Sequence, residues 1–214
     1  RRQVETELRG KEIVELEQLN KFLNNLYYPL YFLDFETFTQ TVPEWDDLRP
    51  YQKIPFQYSI HRIEREGEDT AHLEFLAEEN SDPRRSIAER LVRDIPKGVC
   101  VLVYNCSFEK GVLQDLAKQF SDYSDHLMNI HDNVIDLMVP FQKKHYYKKE
   151  MKGRYSIKAV LPALISDSPY SKMGINEGME ASNNYKNLPS ITDSLTREKI
   201  KEDLKVYCKQ DTQS

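Results

Sequence analysis

The chain has 214 residues, 39% hydrophobic and 30% charged, enough to bury one sizeable core and to form one domain rather than two. Its formal net charge of −5 at pH 7 is not that of a general nucleic-acid binder, and no apolar run approaches the ~20 residues of a membrane-spanning helix, so no membrane partner is expected. The N-terminal RRQVETELRGKEIVELEQL lacks the apolar centre of a signal peptide, and Cys100, Cys106 and Cys208 show neither metal-type nor disulfide-type spacing; the expected compartment is the cytoplasm, with reduced thiols.

In chain order, Ile13, Leu16, Leu19, Leu23 and Leu26 form an apolar stripe, so residues 1–28 read as an amphipathic helix, from about Val4 to Leu26, that packs on the domain or links it to upstream sequence. Strands are expected near 30–37, 56–64 and 71–77, with GEDT at 67–70 as the hairpin between the last two. Asp82-Pro83 opens a helix over 83–94, a buried strand follows at 99–104, a helix runs from Ser107 to Phe120, and a short strand occupies 133–137. The Ser-, Asn- and Gly-rich stretch at 166–190 reads as a lid over a cleft or a long surface connection, and a helix from Thr196 closes the chain. These elements make an α/β fold over residues 29–214.

Acidic residues in three distant segments carry the chemistry. In YFLDFETF, period-two alternation puts Asp34 and Glu36 on one face and Phe35 on the other. In VYNCSFEKGVL, Glu109 falls in the first turn of a helix, and in DLKVYCKQDT a helix stacks Tyr207 and Asp211 four residues apart on one face. Carboxylates crowded together repel one another unless a divalent cation compensates them, and an all-oxygen donor set without HExxH or CxxC points to Mg²⁺ or Mn²⁺ rather than Zn²⁺. Asp115 and Asp136 are the nearest substitutes; Asp115 lies two turns into the helix after Glu109, and Asp136 reads as a structural or capping residue. Cys208, beside Tyr207, reads as packed, and the five histidines show no ligand pattern.

These segments resemble the DEDD superfamily of 3′–5′ exonucleases, in the branch whose third motif is Tyr-x-x-x-Asp. DFET is similar to the Asp-x-Glu motif, YNCSFE to the second motif with Glu109 in place of Asp, and YCKQD to the third. The sister branch carries His where this chain has Val206. IPFQYSIH at 54–61 and RYSIKAVLPAL at 154–164 look like a bacterial family of uncharacterised proteins assigned to that superfamily.

The resemblance implies an RNase H-like mixed sheet of about five strands flanked by helices, and hydrolysis of DNA or RNA from a 3′ end to nucleoside monophosphates with two Mg²⁺ or Mn²⁺ ions. It makes Asp34, Glu36, Glu109 and Asp211 the metal ligands, Tyr207 the residue that orients the attacking water, and the motif neighbours Phe35, Thr37, Phe38, Asn105 and Phe108 contacts to the nucleic acid. The alternative is a module of the same fold that binds nucleic acid or acts as a scaffold without turnover. A basic run, KKHYYKKEMKGR at 143–154, offers Lys143, Lys144, Lys148 and Lys149 for the phosphates of a single-stranded or 3′-ended partner, and Tyr146 and Tyr147 for stacking on bases. Beginning at Arg1-Arg2 and ending just after Asp211, the chain reads as a piece of a larger protein, cut within its C-terminal helix, with upstream domains as further partners; a frayed last turn would leave Asp211 loosely held.

Overall fold

The computed structural model describes residue 6 and residues 10–165 and 178–213. Five strands form one sheet in the order Ala71–Leu76, Ile54–Ile63, Leu30–Phe38, Cys100–Val103, Val134–Asp136. β2 (Leu30–Phe38), β3 (Ile54–Ile63) and β4 (Ala71–Leu76) run as an antiparallel meander, and β5 (Cys100–Val103) and β6 (Val134–Asp136) continue parallel to β2. This is the α/β architecture expected from the sequence, a five-stranded mixed sheet flanked by helices, with β2 at its centre.

Alternation along β2 divides the molecule into two layers. Tyr31, Leu33 and Phe35 face a core built with α2 (Pro83–Asp94), α3 (Cys106–Gln119) and α4 (Ser121–Asp132), through Ile87, Leu91, Leu113, Leu116 and Leu127. Asp34, Glu36 and Phe38 emerge on the other face, where α7 (Gly178–Asn187) and α8 (Ser194–Gln213) lie across the sheet. Phe38, Phe56, Tyr185, Leu204 and Tyr207 form a second core there, with Phe56 stacked on Tyr185 at 4.2 Å. The β2–β3 register shifts between Glu36 and Thr37, whose partners are Gln57 and Pro55. Pro55 cannot donate to a ladder, so a bulge is the form of pairing that accommodates it, and it lies beside the acidic residues.

Local signals also set α2. Pro83 occupies its first turn, and the Asp82 carboxylate accepts the Arg84 N–H at 3.1 Å. The N-terminal expectation is corrected. Gly10 adopts φ +67°, Ile13–Val14 form a short strand, β1, and α1 covers only Leu16–Leu23. β1 pairs antiparallel with β7 (Tyr146–Tyr147), which follows the short α5 (Val139–Gln142). Two β-branched residues next to a tyrosine pair prefer that ladder to the helix their spacing suggests. α6 (Ile157–Leu164) then packs beneath, with Val160 against Tyr147 and Met151. The lid or connection expected at 166–190 lies outside the described residues as far as 177, and from 178 it is helical.

Candidate metal centre

Asp34, Glu36 and Asp211 each offer a carboxylate oxygen, and these atoms lie within 4.8 Å of one another. β2 supplies two of the groups and the last turn of α8 the third. Burial raises the Asp34 pKa well above the carboxylate range, and Glu36, Asp211 and Glu109 add to it. Glu36, 7% exposed, is pushed up to about 8 by burial and by Asp211, with Lys158 opposing. Crowded carboxylates held protonated are groups that a divalent cation would ionise, and the donor set is the all-oxygen one that Mg²⁺ or Mn²⁺ prefers.

Glu109 stands outside that group of three but close enough for its charge to act on Asp34. Only 2% exposed, its Oε2 has no hydrogen-bond partner among the described residues. Burial pushes its pKa up to about 8; a bond from its own backbone N–H opposes the shift, Asp136 adds to it, and Lys53 opposes it. An orphaned buried carboxyl beside three others fits a second cation position. Asp136 has the capping role expected of it. Its Oδ1 accepts the N–H groups of Asn105 (3.0 Å) and Met138 (2.9 Å), and its Oδ2 accepts that of Cys106 (3.0 Å). Asp115 is paired with Lys118 along α3 at 4.0 Å.

Tyr207 is buried on the site side of α8, while Val206 is 49% exposed. A Cβ added to Gly178 would lie 3.6 Å from Glu36 Oε2 and 3.9 Å from Tyr207 Oη, so both groups converge on the start of α7. Cys208 sits under Asp34, its Sγ 3.9 Å from the Asp34 carbonyl oxygen and 4.0 Å from Oδ2. Burial, with Asp34, Glu36 and Asp211, keeps it a thiol, so it packs and donates.

Several expected nucleic-acid contacts are corrected. Phe35 is buried in the main core, edge-on to Tyr58, and Phe38 is buried in the second. Tyr147 is 2% exposed and its hydroxyl accepts the Gly153 N–H at 2.9 Å, so it has no free face for a base. All three positions are filled by side chains that close a core. Thr37 offers its carbonyl to Ser182 at 2.6 Å, and Asn105 is an exposed, left-handed residue at the start of α3. Phe108 packs on the core and carries Lys53 over its ring at 4.1 Å. Lys143 and Lys149 are exposed, Lys144 is half-buried with φ +57°, and Lys148 pairs with Glu12 at 4.0 Å. Tyr146, whose hydroxyl donates to Glu12 at 3.2 Å, lines a cavity of about 950 Å³ together with Asp34, Asp211, Tyr104, Phe141 and Lys209.

Sequence reasoning missed Lys53 and Lys158, whose charges act on Glu109 and Glu36 respectively, because isolated lysines carry no pattern. It also missed a polar set beside Asp211: the buried Ser59, His61 and Thr212 and the half-buried His72. Their hydroxyls meet at 2.8 Å, and each is also bonded to a histidine. Burial, His72 and Lys209 hold the His61 pKa down to about 4. The last turn of α8 is therefore tied to the sheet, not frayed.

Among curated proteins, "Uncharacterized protein UU173" of Ureaplasma parvum serovar 3 is 23% identical over 250 aligned residues, covering 95% of this chain and 36% of the relative. The chain thus spans about a third of that protein's length. No solved structure matches the chain. A family model described as a domain of unknown function matches residues 31–156, a span that holds Asp34, Glu36 and Glu109 and stops short of Tyr207 and Asp211. On that match, over more than half its length, the chain belongs to the DUF2779 family.

Proposed function

We propose that the chain is a metal-dependent 3′–5′ exonuclease that hydrolyses phosphodiester bonds of DNA or RNA and releases nucleoside monophosphates. The observation that carries this reading is the convergence of Asp34, Glu36 and Asp211, from opposite ends of the chain, to within 4.8 Å, with Tyr207 beside them in the Tyr-x-x-x-Asp spacing. Asp34, Glu36 and Asp211 would hold Mg²⁺ or Mn²⁺, and Glu109 would reach a second ion. When bound, such ions polarise the phosphoryl group and lower the pKa of the attacking water. The Tyr207 hydroxyl, near Glu36 and the start of α7, orients that water. Tyr104, Phe141 and Tyr146, on the wall of the adjoining cavity, offer apolar surface to a terminal base, and Lys209 at its edge offers charge to a phosphate.

The test is release of mononucleotides from labelled single-stranded DNA and RNA with Mg²⁺, Mn²⁺ or a chelator. We expect cation-dependent release, abolished by Asp34→Asn while strand binding persists. Near-parental turnover in that variant would sink the metal reading. The position of Glu109 outside the group of three favours a second reading, a strand-binding module without turnover; retained binding with no release in either cation would select it.

A further inference from the structure

Ser59 is the register partner of Asp34 across the β2–β3 ladder, and Thr212 follows Asp211 on α8. The hydroxyls of these two neighbours meet at 2.8 Å, so one contact joins β3, at the position paired with the first carboxylate's residue on β2, to the helix turn that carries the last. The bonding scheme closes. Thr212 Oγ1 donates to the Lys209 carbonyl at 3.0 Å, which leaves it to accept from Ser59 Oγ and from His61 Nδ1, the latter at 2.7 Å. Ser59 Oγ then accepts from His72 Nε2 at 3.0 Å. These donor directions and tautomers are assigned from the network, in which each hydroxyl donates once and both rings are neutral. Ser59, His61 and Thr212 are buried, and His61 opposes His72 on β4 with ring centroids 4.6 Å apart.

We propose that the Ser59–Thr212 hydroxyl pair, braced by His61 and His72, is the positioning device that holds Asp211 opposite Asp34 at the metal centre. None of the four needs to touch an ion. Mg²⁺ accepts oxygen ligands only close to ~2.0–2.1 Å in near-octahedral geometry, so a carboxylate that must meet groups on another element needs its own element fixed against that one. The hydroxyl pair does this from inside the protein. The inference rests on the metal reading above.

The experiment measures Mn²⁺ affinity by calorimetry or electron paramagnetic resonance, with thermal melting in chelator as the check on folding, for the parent, Thr212→Val, Thr212→Ser, Ser59→Ala and Asp34→Asn. We expect Thr212→Val and Ser59→Ala to weaken Mn²⁺ binding on the order of 10–100-fold while still melting cooperatively. Thr212→Ser, which keeps the hydroxyl, should restore the parental affinity. The double variant Ser59→Ala/Thr212→Val should be weakened by less than the two single effects combined, since both delete the shared bond. Parental affinity in Thr212→Val, or no rescue by Thr212→Ser, overturns the proposal while Asp34→Asn still upholds the metal centre; if Thr212→Val fails to fold, Ser59→Ala decides in the same way. A parent that binds no Mn²⁺ overturns both readings together.

Discussion

On the proposed reading, Tyr207 joins packing to chemistry in one side chain. Its ring belongs to the second core with Leu204 and Phe38, while its hydroxyl stands near Glu36 at the start of α7. Tyr207→Phe keeps the ring and removes the hydroxyl. We expect catalysis to slow by roughly 10–1000-fold, the range for loss of one positioning group, with the melting temperature little changed. An unaltered rate would make Tyr207 a packing residue. Phe35 and Phe38 show the same distinction from the other side, since each lies within two residues of an acidic one in sequence yet belongs to a core. Which face an aromatic residue takes on β2 follows from alternation, but that both faces are covered depends on α7 and α8.

At the scale of elements, the basic segment is half structure and half surface. β7 pairs with β1, Tyr147 is enclosed with Met151 and Val160, and Lys148 leans toward Glu12, which leaves Lys143 and Lys149 exposed. If those two lysines hold phosphates, changing both to Gln should flatten the salt dependence of single-strand binding by up to about 1.4 units of log–log slope, at roughly 0.7 per contact. Binding titrations across a salt series measure this, and an unchanged slope would remove Lys143 and Lys149 from the interface. The ribbon itself was not readable beforehand. Its strands are two residues each and come from opposite sides of the meander, so no local period announces them.

Across the whole molecule, two sets of buried or half-buried titratable groups pull stability in opposite directions with pH. Glu36 and Glu109 are raised from 4.5 to about 8 on folding, and Asp34 is raised as well. Their contribution is full below the unfolded value and is lost as pH rises through about 8. His61 is lowered from 6.5 to about 4, and His72 is lowered too, each chiefly by burial. Their contribution is full above 6.5 and is lost as pH falls toward 4. Metal-free protein should therefore be most stable between about 4.5 and 6.5 and lose stability toward pH 8. Mn²⁺ should reverse the alkaline loss, because binding displaces the carboxyl protons. Denaturant titrations over a pH series, in chelator and in Mn²⁺, test this; stability that rises from pH 6.5 to 8 in chelator would contradict it.

The sequence by itself determined what short-range geometry controls. Asp34 and Glu36 share a face because strand side chains alternate, Tyr207 and Asp211 share one because a helix turns every 3.6 residues, and Asp82-Pro83 starts α2 by capping. The strands of the large sheet were readable for the same reason, and their order gave the fold class. Tertiary structure alone decided that Asp211 meets Asp34, that Glu109 stops short of the group, and that Gly10 and β1 break the N-terminal stripe. It alone joined Thr212 to Ser59 and two histidines. Such contacts link residues far apart in the chain, and whether they form depends on closing long loops around a packed core, for which no period in the sequence stands.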